Sequence, residues 1–223
     1  MDNKPRPRVH QEKKARDRLI RLAEEHPDWV IGFEDETWWS RLARPSLSTW
    51  TEACQPLRLV EQSVAKDDTD PKALACYGIL VQLAHPSGPP REEVWLRFVD
   101  GHPISSATTA FLKWGCGKLE RYGKKALLLV WDNASWHISL QVRVWLREHN
   151  RLVKCEGKGV RIIMCPLPIK SPWLNPIEPR WAHGKRRVIE ADRLLTAQEL
   201  IERVYACFGC EHEQRLFIPQ KVA

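Results

Sequence analysis

Ala126-Leu127-Leu128-Leu129-Val130-Trp131 is an unbroken apolar run that stops on Asp132-Asn133. Six apolar residues without alternation suit a strand covered on both faces, as in the interior of an α/β sheet. Asp132 then stands at the C-terminal end of that strand, where such sheets place their ligands.

Working outward from this strand, both flanks alternate between strand and helix signals. Upstream, Ser105 to Tyr122 opens on cap-type residues and keeps helical spacing at Ala110, Phe111, Trp114 and Leu119. Before it, Val94 to Val99 and Ala73 to Leu83 read as strands, with His85 to Pro90 a break and Lys66 to Pro71 a turn. Trp29 to Phe33 reads as a buried strand running into Glu34-Asp35-Glu36, while residues 38–64 mix short β-like pieces with Pro45 and Pro56. A helix is predicted from His10 to Glu25, ended by His26-Pro27-Asp28, and residues 1–9 are predicted to be extended or disordered. Downstream come a helix over Ile138–His149, a basic glycine-containing loop over Asn150–Gly159 and a strand over Val160–Cys165. A proline-rich stretch to Pro179 follows, then helices around Arg180–Glu190 and Thr196–Phe208. Strands first, then alternating helices and strands, predict an α/β fold with a mixed sheet.

The 223 residues suit one sizeable domain, and 43% hydrophobic content is enough for a core. Lys and Arg number 35 against 28 acidic residues, a net charge of +7 that favours an anionic partner such as nucleic acid. The positive charge is uneven. Residues 1–22 carry eight basic and three acidic side chains, and Arg180, Lys185, Arg186 and Arg187 form a second cluster. No apolar run is long enough to span a membrane, and the polar, basic N-terminus does not read as a secretory signal. Seven cysteines at irregular spacing do not form a disulfide framework, so a cytoplasmic chain with reduced thiols is expected.

Three acids are candidates for chemistry. Asp35 and Asp132 follow apolar strands, and Glu178 lies in Ser171-Pro172-Trp173-Leu174-Asn175-Pro176-Ile177-Glu178. An aspartate pair with a glutamate is a donor set for hard divalent ions in phosphoryl transfer. A strand-end aspartate can instead cap the next turn. Asn175, Pro176 and Glu178 can equally be the N-cap, N1 and N3 residues of a capping box. Cys207 and Cys210, with His212 nearby, suggest zinc only if Cys155, Cys165 or His183 completes the ligands.

The Asp35-Glu36-Thr37 string, Trp131-Asp132-Asn133-Ala134-Ser135-Trp136-His137 and Ser171 to Glu178 followed by Trp181 together resemble the DDE endonuclease domain of mariner-type bacterial insertion-sequence transposases. The resemblance implies an RNase H-like (retroviral integrase-like) fold: a mixed five-stranded sheet flanked by helices. It places the first Asp on the first strand, the second on the fourth and the Glu on a helix. Asp35, Asp132 and Glu178 then form the acidic triad, holding Mg²⁺ (or Mn²⁺), two ions in number. Glu36, Asn133, His137 and Asn175 line the site. Arg180, Lys185, Arg186 and Arg187 contact DNA phosphates, and Trp181 packs beneath the site.

The implied activity is metal-dependent cleavage of DNA ends followed by strand transfer. The alternative is an inert remnant that binds DNA or assembles with a partner. On this division residues 1–28 are a basic tail and helix serving as linker or docking segment, 29–210 the catalytic domain and 211–223 a C-terminal tail. Relatives carry N-terminal helix-turn-helix modules, for which residues 1–28 are too few. The implied partners are therefore transposon ends and target DNA, with a homo-oligomer or a separate helix-turn-helix chain. Pro179, directly after Glu178, predicts a helix that starts or kinks there.

Overall fold

The computed structural model describes residues 7–42, 48–50, 56–58, 64–83, 90–169, 171–188 and 194–216. Its elements in chain order are α1 (Pro7–Glu24), β1 (Trp29–Ser40), β2 (Ser48–Trp50), β3 (Pro56–Arg58), β4 (Ala73–Leu83), β5 (Arg91–Val99), α2 (Ser105–Arg121), β6 (Ala126–Trp131), α3 (Leu140–Glu156), β7 (Arg161–Pro166), α4 (Ile177–Val188) and α5 (Ala197–Phe208). The breaks expected around Pro45 and at residues 85–89, and the tail residues 1–6 and 217–223, lie outside the described residues.

The sheet runs β5-β4-β1-β6-β7, while β2 and β3 form a small separate pair. β1 is antiparallel to β4, and β4 to β5. β1 and β6 are parallel, as are β6 and β7. The mixed five-stranded sheet flanked by helices is therefore present, with β6 the fourth strand of the main sheet. Leu127, Leu129 and Trp131 point into one apolar core and Leu128 and Val130 into the other, as a strand covered on both faces requires. α1, α4 and α5 cover one face, and α2 and α3 the other.

Four expectations need correction. β1 does not end before the acidic triplet but runs on to Ser40, because Thr37, Trp38 and Trp39 continue the pairing with β4. Asp35 is thus a mid-strand residue. The expected loop over 150–156 is helix. α3 starts on a Ser139 cap and ends at Gly157, whose φ of 63° suits a residue without Cβ. The Asn150 amide brackets the Ile162 backbone, accepting from its N–H and donating to its C=O at 2.8 Å each, which fastens this part of α3 to β7. Residues 7–9 open α1 and are not extended, Pro7 being the first helical residue. α4 includes Pro179, which sits at the third helical position, where its missing N–H removes no intrahelical bond.

α1 and the C-terminal segment pack on the sheet. Leu19, Ile20 and Ala23 join the core under α4, and buried Leu216 forms a bridge to Val99. An aromatic triangle of Trp39, Trp181 and Phe208, with ring centroids 5.5–6.2 Å apart, ties α4 and α5 to β1. Two glycines make room for it. A Cβ at Gly78 would lie 2.2 Å from the Trp181 ring, and one at Gly184 would lie 2.7 Å from the Phe208 ring.

Gly78→Ala therefore lowers stability by about 1–3 kcal/mol through overpacking. Gly117→Ala, in the middle of α2 with nothing within 4 Å of the added methyl, raises it by about 0.5–1 kcal/mol. Urea unfolding of the two variants checks both signs.

Candidate active site

The pleat of β1 distributes its three consecutive acids. Asp35 faces the side covered by α4, whereas Glu34 and Glu36 face the opposite side. Asp35 pairs across the sheet with Gly78, and the space above that glycine holds the Trp181 indole. Trp181 Nε1 donates to Asp35 Oδ2 at 2.9 Å. Trp181 thus packs under the site as expected and also fixes the aspartate, a role that the one-turn offset from Glu178 did not reveal.

Asp132 leaves the end of β6 with a half-exposed side chain. Its Oδ1 accepts from the Ala134 N–H at 2.8 Å and lies 2.9 Å from His137 Nδ1. Glu178, in the first turn of α4, closes the group. Asp35, Asp132 and Glu178 line one cleft of about 290 Å³ together with Asn133, Leu167, Ile169, Pro172 and Asn175. Asn133 is held by a 2.6 Å bond from its amide to the Leu167 carbonyl. Asn175 is buried and its amide donates to the Glu34 carbonyl at 2.9 Å, while its Oδ1 has no hydrogen-bond partner. Asn175 consequently does not cap α4 with its side chain. It ties the start of α4 to the centre of β1.

Glu36 and His137 stand behind Asp132 and not among the cleft-lining residues. The basic cluster divides around α4. Arg180 and Arg187 line a separate groove against β5, where Arg180 pairs with Glu92 at 2.6 Å. Lys185 lies two turns beyond Glu178, close enough to act on its carboxyl, and Arg186 is exposed. Among the described residues, Cys207 and Cys210 are not brought together with two further metal-ligating groups. Cys210 Sγ instead bonds the Val94 carbonyl at 2.7 Å.

The electrostatics suit a cation. Burial, then the charges of Glu178 and Glu36, push the Asp35 carboxyl up to about 7. Burial, with the Asp132 charge adding to it and Lys185 opposing, raises Glu178. The hydrogen bond from His137 holds Asp132 below the usual carboxylate range. Three carboxylates in one cleft, with Glu178 raising Asp35 and Asp132 raising Glu178, offer an all-oxygen donor set, and the residues present fit Mg²⁺ or Mn²⁺.

Residues 105–201 match the family described as DDE superfamily endonuclease. The matched segment is less than half of the chain. It contains Asp132 and Glu178 of the cleft. No curated protein matches the chain by sequence. Among solved structures, a Mos1 transposase paired-end complex with left transposon end is similar at TM-score 0.60 and 15% identity, over 95% of this chain and 58% of that one. A Mos1 mariner paired-end complex with Mn gives 0.57 and 15% over 94% and 57%, and a Mos1 strand transfer complex 0.54 and 14% over 94% and 56%. The matched segment thus sits in an RNase H-like fold, and this chain spans less than two thirds of those transposases' length.

Asp35 gives the metal-free protein a pH signature. Its carboxyl is raised from 3.8 to about 7 on folding, so its stabilising proton is present below about pH 4 and lost as pH rises through about 7. Asp35→Asn removes that loss, so its melting temperature relative to wild type rises between pH 5 and pH 8. A pH-independent difference contradicts the assignment.

Proposed function

We propose that this chain is the catalytic domain of a transposase that cleaves DNA ends and transfers the resulting 3′ ends to target DNA. The observation that carries the reading is the single cleft into which β1, the end of β6 and the start of α4 bring Asp35, Asp132 and Glu178. The DDE family match over 105–201 and the fold shared with Mos1 transposases support it. The inert-remnant alternative is not favoured, because all three carboxylates line the cleft.

Asp35, Asp132 and Glu178 are the groups to hold Mg²⁺ or Mn²⁺, two ions on this reading. When bound, such ions activate water at neutral pH and stabilise charge on phosphate and leaving oxygens. The protein's own contribution is placement. Trp181 fixes the orientation of Asp35, and His137 keeps Asp132 ionised. Asn175 locks the α4 N-terminus to β1 so that Glu178 faces the two aspartates. Asp35, raised to about 7, gives up its proton on loading, so cation affinity climbs with pH up to that range.

Lys185, Arg186 and the groove-lining Arg180 and Arg187 offer contacts to the DNA backbone. The catalytic unit is taken as 29–210, with residues 1–28 as a linker or docking segment and 211–223 as a tail; Leu19, Ile20 and Ala23 of the first and Leu216 of the second pack against it. Recognition of transposon ends falls to a helix-turn-helix module or chain, and work on two ends favours a homo-oligomer. On this reading the activity is cytoplasmic, in keeping with the free thiols of the described cysteines. No helix among the described residues is long and apolar enough to cross a membrane.

Incubation of a supercoiled plasmid with the chain and Mn²⁺ tests the proposal. Wild type is expected to nick it, and Asp132→Ala, Asp35→Ala and Glu178→Ala each to slow nicking by at least about 100-fold while retaining DNA binding. Nicking that survives Asp132→Ala contradicts the proposal.

A further inference from the structure

A second set of donor atoms lies on the face of the sheet opposite Asp35. Glu34, Glu36 and His137 each offer an atom within 4.8 Å of the others. Glu34 is 0% exposed, and neither of its carboxylate oxygens has a hydrogen-bond partner. Its Oε2 lies 3.3 Å from His137 Nε2, close but not aligned for a bond. Glu36 Oε1 lies 2.9 Å from the same nitrogen and accepts from Trp136 Nε1 at 2.9 Å. An unpaired carboxylate in a dry interior is expensive, and native structures seldom leave one without a partner.

The imidazole is held as a metal ligand is held. It stacks on Trp131 with centroids 4.5 Å apart and planes 11° from parallel. Its Nδ1 lies 2.9 Å from Asp132 Oδ1. An Nδ1–H donated to that carboxylate leaves the Nε2 lone pair aimed at Glu34 and Glu36, the tautomer that outer carboxylates impose on metal-binding histidines. A proton on Nε2 can serve Glu36 but leaves Glu34 without a donor. A divalent cation serves both carboxylates and neutralises them with the imidazole uncharged.

We propose that Glu34, Glu36 and His137 form a buried site for a first-row divalent transition ion, with Zn²⁺ the best match, separate from the cleft carboxylates. One imidazole nitrogen and two carboxylates suit Zn²⁺, which accepts mixed nitrogen and oxygen ligands at low coordination number. Mg²⁺ fits poorly, since it demands six oxygens and keeps several waters. His137 then joins the two sites, with one ring nitrogen on the buried ion and the other on Asp132.

The test uses the full chain, stripped with chelator, incubated with ZnCl₂ alone, desalted and assayed by elemental mass spectrometry. Wild type is expected to retain one Zn²⁺ per chain. The Asp35→Asn/Glu178→Gln double variant, which disables the cleft, is expected to retain it too, and Glu34→Gln to lose it. If circular dichroism shows that Glu34→Gln has not folded, Glu36→Gln takes its place. X-ray absorption of the loaded wild type is expected to show nitrogen and oxygen neighbours at about 2.0–2.2 Å. Any of four results overturns the proposal: no Zn²⁺ in wild type, unchanged retention in the glutamate variant, loss in the cleft double variant, or sulfur neighbours at about 2.3 Å, which assign the ion to cysteines.

Discussion

The pleat of β1 sends alternate side chains to opposite faces of the sheet, and Glu34, Asp35 and Glu36 occupy three successive positions at its centre. Three neighbouring negative charges would repel strongly if they shared a face. Alternation splits them, with Asp35 toward α4 and the two glutamates toward the segment after β6. Each side then answers with its own partners. On one side a tryptophan N–H meets Asp35, and burial with the Glu178 charge raises its affinity for a proton or a cation. On the other, a single buried imidazole stands between the glutamates and Asp132, and burial with the Glu36 charge drives Glu34 toward its neutral form.

The cleft depends on packing that is remote from chemistry. Trp181 reaches Asp35 only because position 78 has no side chain, and α4 stays in place because Trp39 and Phe208 hold the other edges of the same ring. Asn175 spends its amide on the Glu34 backbone and so fixes where α4 begins relative to β1. The His137 ring lies flat on Trp131, the last residue of the strand that delivers Asp132. Aromatic burial and a few directed polar bonds thus set the positions of groups whose mutual repulsion would otherwise drive them apart.

Much of this was legible in the residues. The unbroken run Ala126–Trp131 gave its strand to the residue, and Ala73–Leu83 did likewise, because buried strands leave a dense apolar signal. The acids Asp35, Asp132 and Glu178 were legible as a set through the three motif strings. What escaped was what tertiary pairing decides. β1 reads as ending at its acids, since charge in a strand looks like a terminus until β4 is seen to pair through it. Residues 150–156 read as loop because their basic character and the nearby glycines hide a helix that the Asn150 bonds to β7 support. The Gly78–Trp181–Asp35 contact joins three distant segments, and no local pattern announces it. The division of the Arg180–Arg187 cluster between two surfaces is likewise a matter of helix rotation relative to the sheet.

The central claim is that Asp35, Asp132 and Glu178 form one cation-binding centre. Anomalous diffraction from crystals soaked in Mn²⁺, for wild type and Asp132→Ala, tests it most directly. The account predicts density within about 2.0–2.3 Å of carboxylate oxygens of Asp35 and Asp132, with Glu178 facing it, and its loss in the variant. Density confined to other acids, or wild-type crystals with an empty cleft at saturating Mn²⁺, would contradict the account.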